Sequence, residues 1–169
     1  DAFYYYKAQW STEPVLHITG RRHVDRAYPV TDVRVYSNAP SVGLEQNGVG
    51  LGSAACIEGI CLWRNVKLAA GPNTLVARAD FAGRSITDSV TLDAPDPARG
   101  LRIDAGDLAG HTMPDGTLIG SDNFFTGGEP KLLNGGVPPN RRGQPKVVAT
   151  NADAAVHAAY RTGTFGYHL

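Results

Sequence analysis

From residue 15 to about residue 93 the chain alternates apolar and polar positions with a period of two, in short runs separated by turn residues. That period marks strands with one buried face. Val33 and Val35 alternate with Arg34 and Tyr36, Ser37-Asn38-Ala39-Pro40 interrupts the ladder, and Val42 and Leu44 restart it. Asn47-Gly48, the commonest tight-hairpin dipeptide, then returns the chain toward Leu51-Gly52. The pattern predicts seven strands, over residues 15–19, 32–37, 42–46, 49–51, 60–66, 74–79 and 85–92. Seven short strands at this spacing suit an immunoglobulin-like β-sandwich.

The flanks of this region follow other rules. Phe3, Tyr6 and Trp10 recur at helical spacing behind Asp1, which is placed like an N-cap. A helix this short is marginal alone in water, so it must dock on something. At 94–100, Ala-Pro-Asp-Pro-Ala-Arg-Gly has two prolines and no periodicity, the composition of a linker. The organisation expected is a terminal helix in 1–13, a sandwich in 14–93, the linker, and a second domain in 101–169.

Composition narrows the classes. Twenty Gly and eleven Pro imply many turns and favour an all-β chain. Sixteen basic against sixteen acidic residues leave no footprint for nucleic acid or an anionic membrane surface. No apolar run approaches a membrane span. Cys56 and Cys61 flank Ile57-Glu58-Gly59-Ile60. A disulfide closing this loop would indicate an oxidising compartment, and two reduced, buried thiols are the alternative.

The run V-x-V-Y-S-N … V-x-L-x-x-N-G-x-x-L-G over residues 33–52 resembles the immunoglobulin-like domain that follows the catalytic barrel in β-galactosidase-type enzymes of glycoside hydrolase family 2. The resemblance continues through Trp63, Val66, Leu68, then Gly71-Pro72-Asn73-Thr74-Leu75, Ala77, Ala79, Gly83 and Asp88. The opening D-A-F-Y-x-Y-K-x-x-W is similar to the segment that closes the barrel in that family, which implies that the chain starts at a barrel's tail end.

After the linker, Ile103-Asp104-Ala105-Gly106, Asp122 to Gly128 and Tyr160 to Leu169 resemble the I-x-A-G, D-x-x-F-x-G-G and Y-x-T-x-x-F-x-Y-x-L motifs of malectin-like carbohydrate-binding domains. That family normally needs about twice this length, so the second domain is expected to be incomplete. The fold expected overall is all-β: a short helix, an immunoglobulin-like sandwich and a partial malectin-like sandwich.

Retaining hydrolysis of a glycoside needs two carboxyl groups about 5–5.5 Å apart. Glu13, Glu45, Glu58 and Glu129 match none of the family's catalytic motifs and read as solvated surface groups. His17, His23, His111, His157 and His168 show no metal-ligand spacing, and His17 is expected to pack or to contact a barrel. Asp104, Asp107, Asp115 and Asp122 could bind calcium, but turn capping is the better reading. No catalytic residue, metal ligand or cofactor is therefore assigned.

Sugar sites combine exposed rings with polar groups that bond hydroxyls. Tyr160 is the ring to which the malectin resemblance points, with Asp104, Asn123 and Arg161 as polar partners, while Phe125 and Phe165 are expected in the core. The implied function is a non-catalytic ancillary region of a bacterial, periplasmic or extracellular β-galactosidase-like enzyme. Its partners would be an oligosaccharide and either the parent's barrel or a chain that completes the second domain. The alternatives are a β-glucuronidase-type parent, a stand-alone carbohydrate-binding or adhesion protein, and a purely structural module.

Overall fold

A computed structural model describes residues 1–132 and 158–168. His157 and Leu169, both named above, lie outside the described residues. The chain divides into two compact units, Asp1–Ala98 and Arg99–Leu169.

The first unit opens with α1 (Ala2–Trp10). Seven strands follow: β1 (Leu16–Ile18), β2 (Val30–Ser37), β3 (Ser41–Gln46), β4 (Val49–Ala55), β5 (Ile60–Lys67), β6 (Gly71–Phe81) and β7 (Arg84–Ala94). One sheet has the order β1-β2-β5 and the other β4-β3-β6-β7. Every pairing within them is antiparallel. Because β2 to β3, β4 to β5 and β5 to β6 each change sheet, the two inner faces are contributed in interleaved order, as in immunoglobulin-like sandwiches.

The alternation read from the sequence sets which face is buried. Val33, Val35, Val42, Leu44, Leu75, Ala77, Val90 and Leu92 point into one core with Ile18, Cys61 and Trp63. Trp63 and Val66 are three residues apart, yet both face inward. The register slips between Thr31 and Val33 of β2, so β5 carries an extra residue there. Asn65 takes φ 52° at that bulge and donates its N–H to Asp32 Oδ1. The bulge restores the inward face that a period of two would have lost.

Side-chain amides in the loops tie the sandwich together. Asn73 is fully buried: its Oδ1 accepts from Ala69 N at 2.9 Å and Gln46 Nε2 at 2.9 Å, and its Nδ2 donates to the carbonyls of Ala69 and Gly71. Thr74 N donates to Asn47 Oδ1 and Asn47 N to the Thr74 carbonyl. The N-G turn and the G-P-N-T run, remote in sequence, are thus one joint. Cys56 and Cys61 form a disulfide, with Cα atoms 4.2 Å apart.

Helix α1 packs on the sandwich through a face other than the Phe3, Tyr6 and Trp10 stripe. Phe3, Tyr6 and Trp10 are exposed. The packed side is instead Tyr4, stacked on His17 at 3.7 Å, with Tyr5 edge-on to Tyr36 and buried Ala8. Asp1 does not cap the helix with its side chain. Its carboxylate meets His17 Nε2 at 3.1 Å and accepts from Gly20 N at 3.0 Å, so the sandwich draws it away from the helix amides.

In the second unit, β8 (His111–Thr112) pairs with β9 (Leu118–Ile119), and β10 (Phe125–Leu132) with β11 (Ala159–Tyr167). Part of the expected linker folds, as a 3₁₀ turn at Pro97–Arg99. Among the described residues of this unit the buried apolar set is small: Ile119, Leu132, Ala158 and Ala159. Asp104, Asp107, Asp122 and Arg161 are buried as well, so ionic groups occupy much of this interior.

Candidate functional site

The three motifs of the second unit meet at Asp122. Its Oδ2 accepts from Arg161 Nε at 2.9 Å, Arg161 Nη2 at 2.5 Å and Gly106 N at 2.7 Å, and its Oδ1 accepts from the Tyr167 hydroxyl at 2.7 Å. The Arg161 and Asp122 side chains are essentially excluded from solvent. Burial would raise the Asp122 pKa, but the bonds from Arg161, Tyr167 and Gly106 outweigh it and hold the carboxyl below its ordinary value. Burial, reinforced by the Asp122 charge and hydrogen bond, pushes the Tyr167 hydroxyl up to about 12.

Gly106 is required at its place. Its φ is +91°, and a Cβ there would overlap the Tyr160 backbone. This close approach seats the loop that begins at Ile103 against β11.

The sequence-derived sugar candidates are therefore divided between interior and surface. Tyr160 is half-exposed and Asn123 is exposed, its Nδ2 donating to Ser121 Oγ. Asp104 and Arg161 are buried. Arg161 spends its guanidinium on Asp122 and the Gly127 carbonyl, and lies 3.4 Å over the Phe125 ring centroid. Adjacent residues of a strand point to opposite faces, so the structure does not bring Tyr160 and Arg161 onto one surface. Phe125 and Phe165, expected in the core, are 40% and 41% exposed. The ion pair takes the interior position, leaving Phe125 to stack on the guanidinium from outside and Phe165 to meet Tyr167 edge-on.

A second cluster joins residues that spacing did not connect. His111 Nε2 lies 3.1 Å from Asp104 Oδ2 and 3.1 Å from Asp107 Oδ2. Both carboxylates are at most 3% exposed, and the three donor atoms fall within 4.8 Å of one another. The Asp107 carboxylate is oriented by Ala109 N, which donates to Oδ1 at 2.9 Å. The one sequence signal for this cluster is the D-x-x-D-x-x-x-H spacing, which becomes a cluster only because the chain turns between Asp104 and His111. Turn capping does hold at Asp115, which accepts from Thr117 N.

The glutamates have local roles. Glu13 pairs with Lys7, Glu45 with Arg78 and Glu129 with Lys131, and Glu58 turns the Cys56–Cys61 loop at φ 49°.

The fold thus defines an all-β protein whose first unit is a sandwich with a docked helix. No family model matches the chain. It is similar to a β-glucuronidase of Bacteroides fragilis, 35% identical over 96 residues, which is 55% of this chain and 14% of that protein. A Bacteroides fragilis protein whose crystal structure carries a provisional β-galactosidase assignment is 36% identical at a TM-score of 0.53, over 56% of this chain and 14% of its own. The crystal structure of a Bacteroides uniformis β-glucuronidase shares the fold over 78% of this chain and 19% of its own, with a TM-score of 0.63 and 21% identity. The chain's homologues are thus β-glucuronidase- and β-galactosidase-like glycoside hydrolases, and it spans only 14% of the length of the first of them.

Proposed function

We propose that this chain is a non-catalytic, C-terminal ancillary region of a family 2 glycoside hydrolase, and that the parent's barrel hydrolyses a β-glycoside. The identity to a β-glucuronidase over 96 residues carries this reading, since it spans more than half of the chain. Both a β-galactosidase and a β-glucuronidase parent are compatible with it. The sandwich acts as a spacer, and the exposed Phe3, Tyr6 and Trp10 face of α1 is the surface that meets the barrel. The Cys56–Cys61 disulfide supports a periplasmic or extracellular location, because such bonds persist in oxidising compartments.

The second unit is proposed as a malectin-like module that binds an oligosaccharide, with the Tyr160 ring stacking on a sugar face and Asn123 bonding hydroxyls. Two measurements test these readings. Incubated with aryl β-galactoside and aryl β-glucuronide, the chain should show no turnover above buffer, and a robust rate would overturn the non-catalytic assignment. Titration calorimetry against galactose- and glucose-containing oligosaccharides should give heat that Tyr160→Ala removes, and silence across the panel would count against the sugar-binding role.

A further inference from the structure

We propose that Asp104, Asp107 and His111 form a structural binding site for a divalent transition-metal ion of the zinc class.

The donor set comes first. An imidazole nitrogen and two carboxylate oxygens converge from one short stretch of chain, all within 4.8 Å of one another. Ligand distances of about 2.1 Å place neighbouring donors of a metal centre about 3.0–3.4 Å apart. Both imidazole-to-carboxylate separations are 3.1 Å. A hydrogen bond explains this arrangement less well. One ring nitrogen carries at most one proton, which cannot point along the line to two carboxylate oxygens together. A cation at the centre would serve all three donors at once.

Burial gives the second argument. Carboxylates in a low-dielectric interior are stabilised by positive charge close by. A divalent ion would balance the pair and leave the imidazole neutral, the form that ligates metals. Asp107 is already held in the manner of a ligand: its Oδ1 takes the Ala109 N–H, and its Oδ2 is turned toward His111.

The third argument is the unit itself. Small units with modest apolar cores commonly rely on a metal or a disulfide for stability. Both cysteines of the chain are in the first unit. Among the described residues of the second unit, four apolar side chains are buried, and so are four ionic ones. A metal tying the Asp104–Asp107 turn to β8 would staple this interior. The imidazole selects the ion, since calcium prefers oxygen donors alone whereas zinc accepts nitrogen with carboxylate.

The test uses the whole 169-residue chain after exhaustive dialysis against EDTA. Zinc titration should show one tight site per chain, and calcium should bind at least tenfold more weakly. His111→Gln and Asp107→Asn should each weaken zinc binding tenfold or more. Histidine ¹⁵N NMR of the unaltered chain supplies a readout independent of whether those variants fold. Substoichiometric zinc should shift the His111 Nε2 resonance ahead of those of the other histidines. An unmoved His111 resonance, or folded variants that bind zinc like the parent, would show an adventitious ion elsewhere and overturn the proposal.

Discussion

Asp122 shows how one side chain can hold three segments at once. It receives Gly106 from the first motif of the second unit and Arg161 and Tyr167 from the last. Removing one partner of a buried ion pair leaves the other charge uncompensated, at a cost of about 3–5 kcal/mol. Asp122→Asn should therefore destabilise the second unit by about 3 kcal/mol in denaturant titration. It should also bring the Tyr167 hydroxyl down from about 12 toward its ordinary 10.0, read by ultraviolet titration of the tyrosinate.

The signs of the two titrations are opposite. The depressed Asp122 contributes stability above the ordinary carboxylate range, lost as pH falls through its folded value. The raised Tyr167 contributes below 10.0, and its share is lost as pH rises through about 12. Neutral pH keeps both.

His17 makes a further prediction at this scale. Burial, followed by the nearby Arg21 guanidinium, lowers its pKa below 6.5, while Asp88 opposes them. The neutral ring is the folded form, stacked on Tyr4 with Nε2 beside Asp1. As pH falls below 6.5 the unfolded chain takes up the proton before the folded one, so stability decreases until the folded value is passed. Urea midpoints at pH 7.5 and 5.5 should differ more in the parent than in His17→Gln; equal differences would place the pH dependence elsewhere.

At the scale of elements, much of what reads as family signature is jointing. Asn38, in the turn between β2 and β3, is one example: its Oδ1 accepts from Val15 N, and its Nδ2 donates to the carbonyls of Ser11 and Glu13. It fixes the segment that leads from α1 into β1. Asn73 does the same between β5 and β6, with no exposure to water. Asn73→Ala would strand the Ala69 N–H and two carbonyls, so a loss of about 2–4 kcal/mol is expected in thermal or urea unfolding. Asn73→Asp should be no milder than Ala: it still accepts from Ala69 N, but it turns a carboxylate oxygen toward the Ala69 and Gly71 carbonyls in a joint without exposure to water.

Helix α1 meets the sandwich through a side that its apolar stripe does not mark. A stripe of Phe3, Tyr6 and Trp10 looks like a buried face, yet stacking on His17 and contact with Tyr36 select the neighbouring side. The Cys56–Cys61 loop reinforces that choice: Gln9 donates to the Glu58 carbonyl, and a side chain at Gly59 would press on Ala8 and Gln9.

For the whole molecule, two units of different construction follow one another in the chain. The first buries a continuous apolar cluster between two sheets. The second gathers charged groups in its interior, so its integrity should depend on the Asp122 carboxylate far more than that of the first. Hydrogen exchange should show the Asp122→Asn effect confined to the second unit, and a uniform loss of protection would contradict this.

The seven strands were legible because their two-residue period is a local consequence of sheet geometry, and Asn47-Gly48 marks its turn through the same local chemistry. The sequence by itself determined those strands, the turns between them and which faces are apolar. Only the tertiary structure decided that Asp1 bonds His17 rather than the helix amides, that Arg161 turns inward to Asp122, and that His111 meets Asp104 and Asp107. The physical reason is range. Periodicity and turn propensity act between near neighbours, whereas a buried charge is placed by whatever partner the fold delivers from far along the chain.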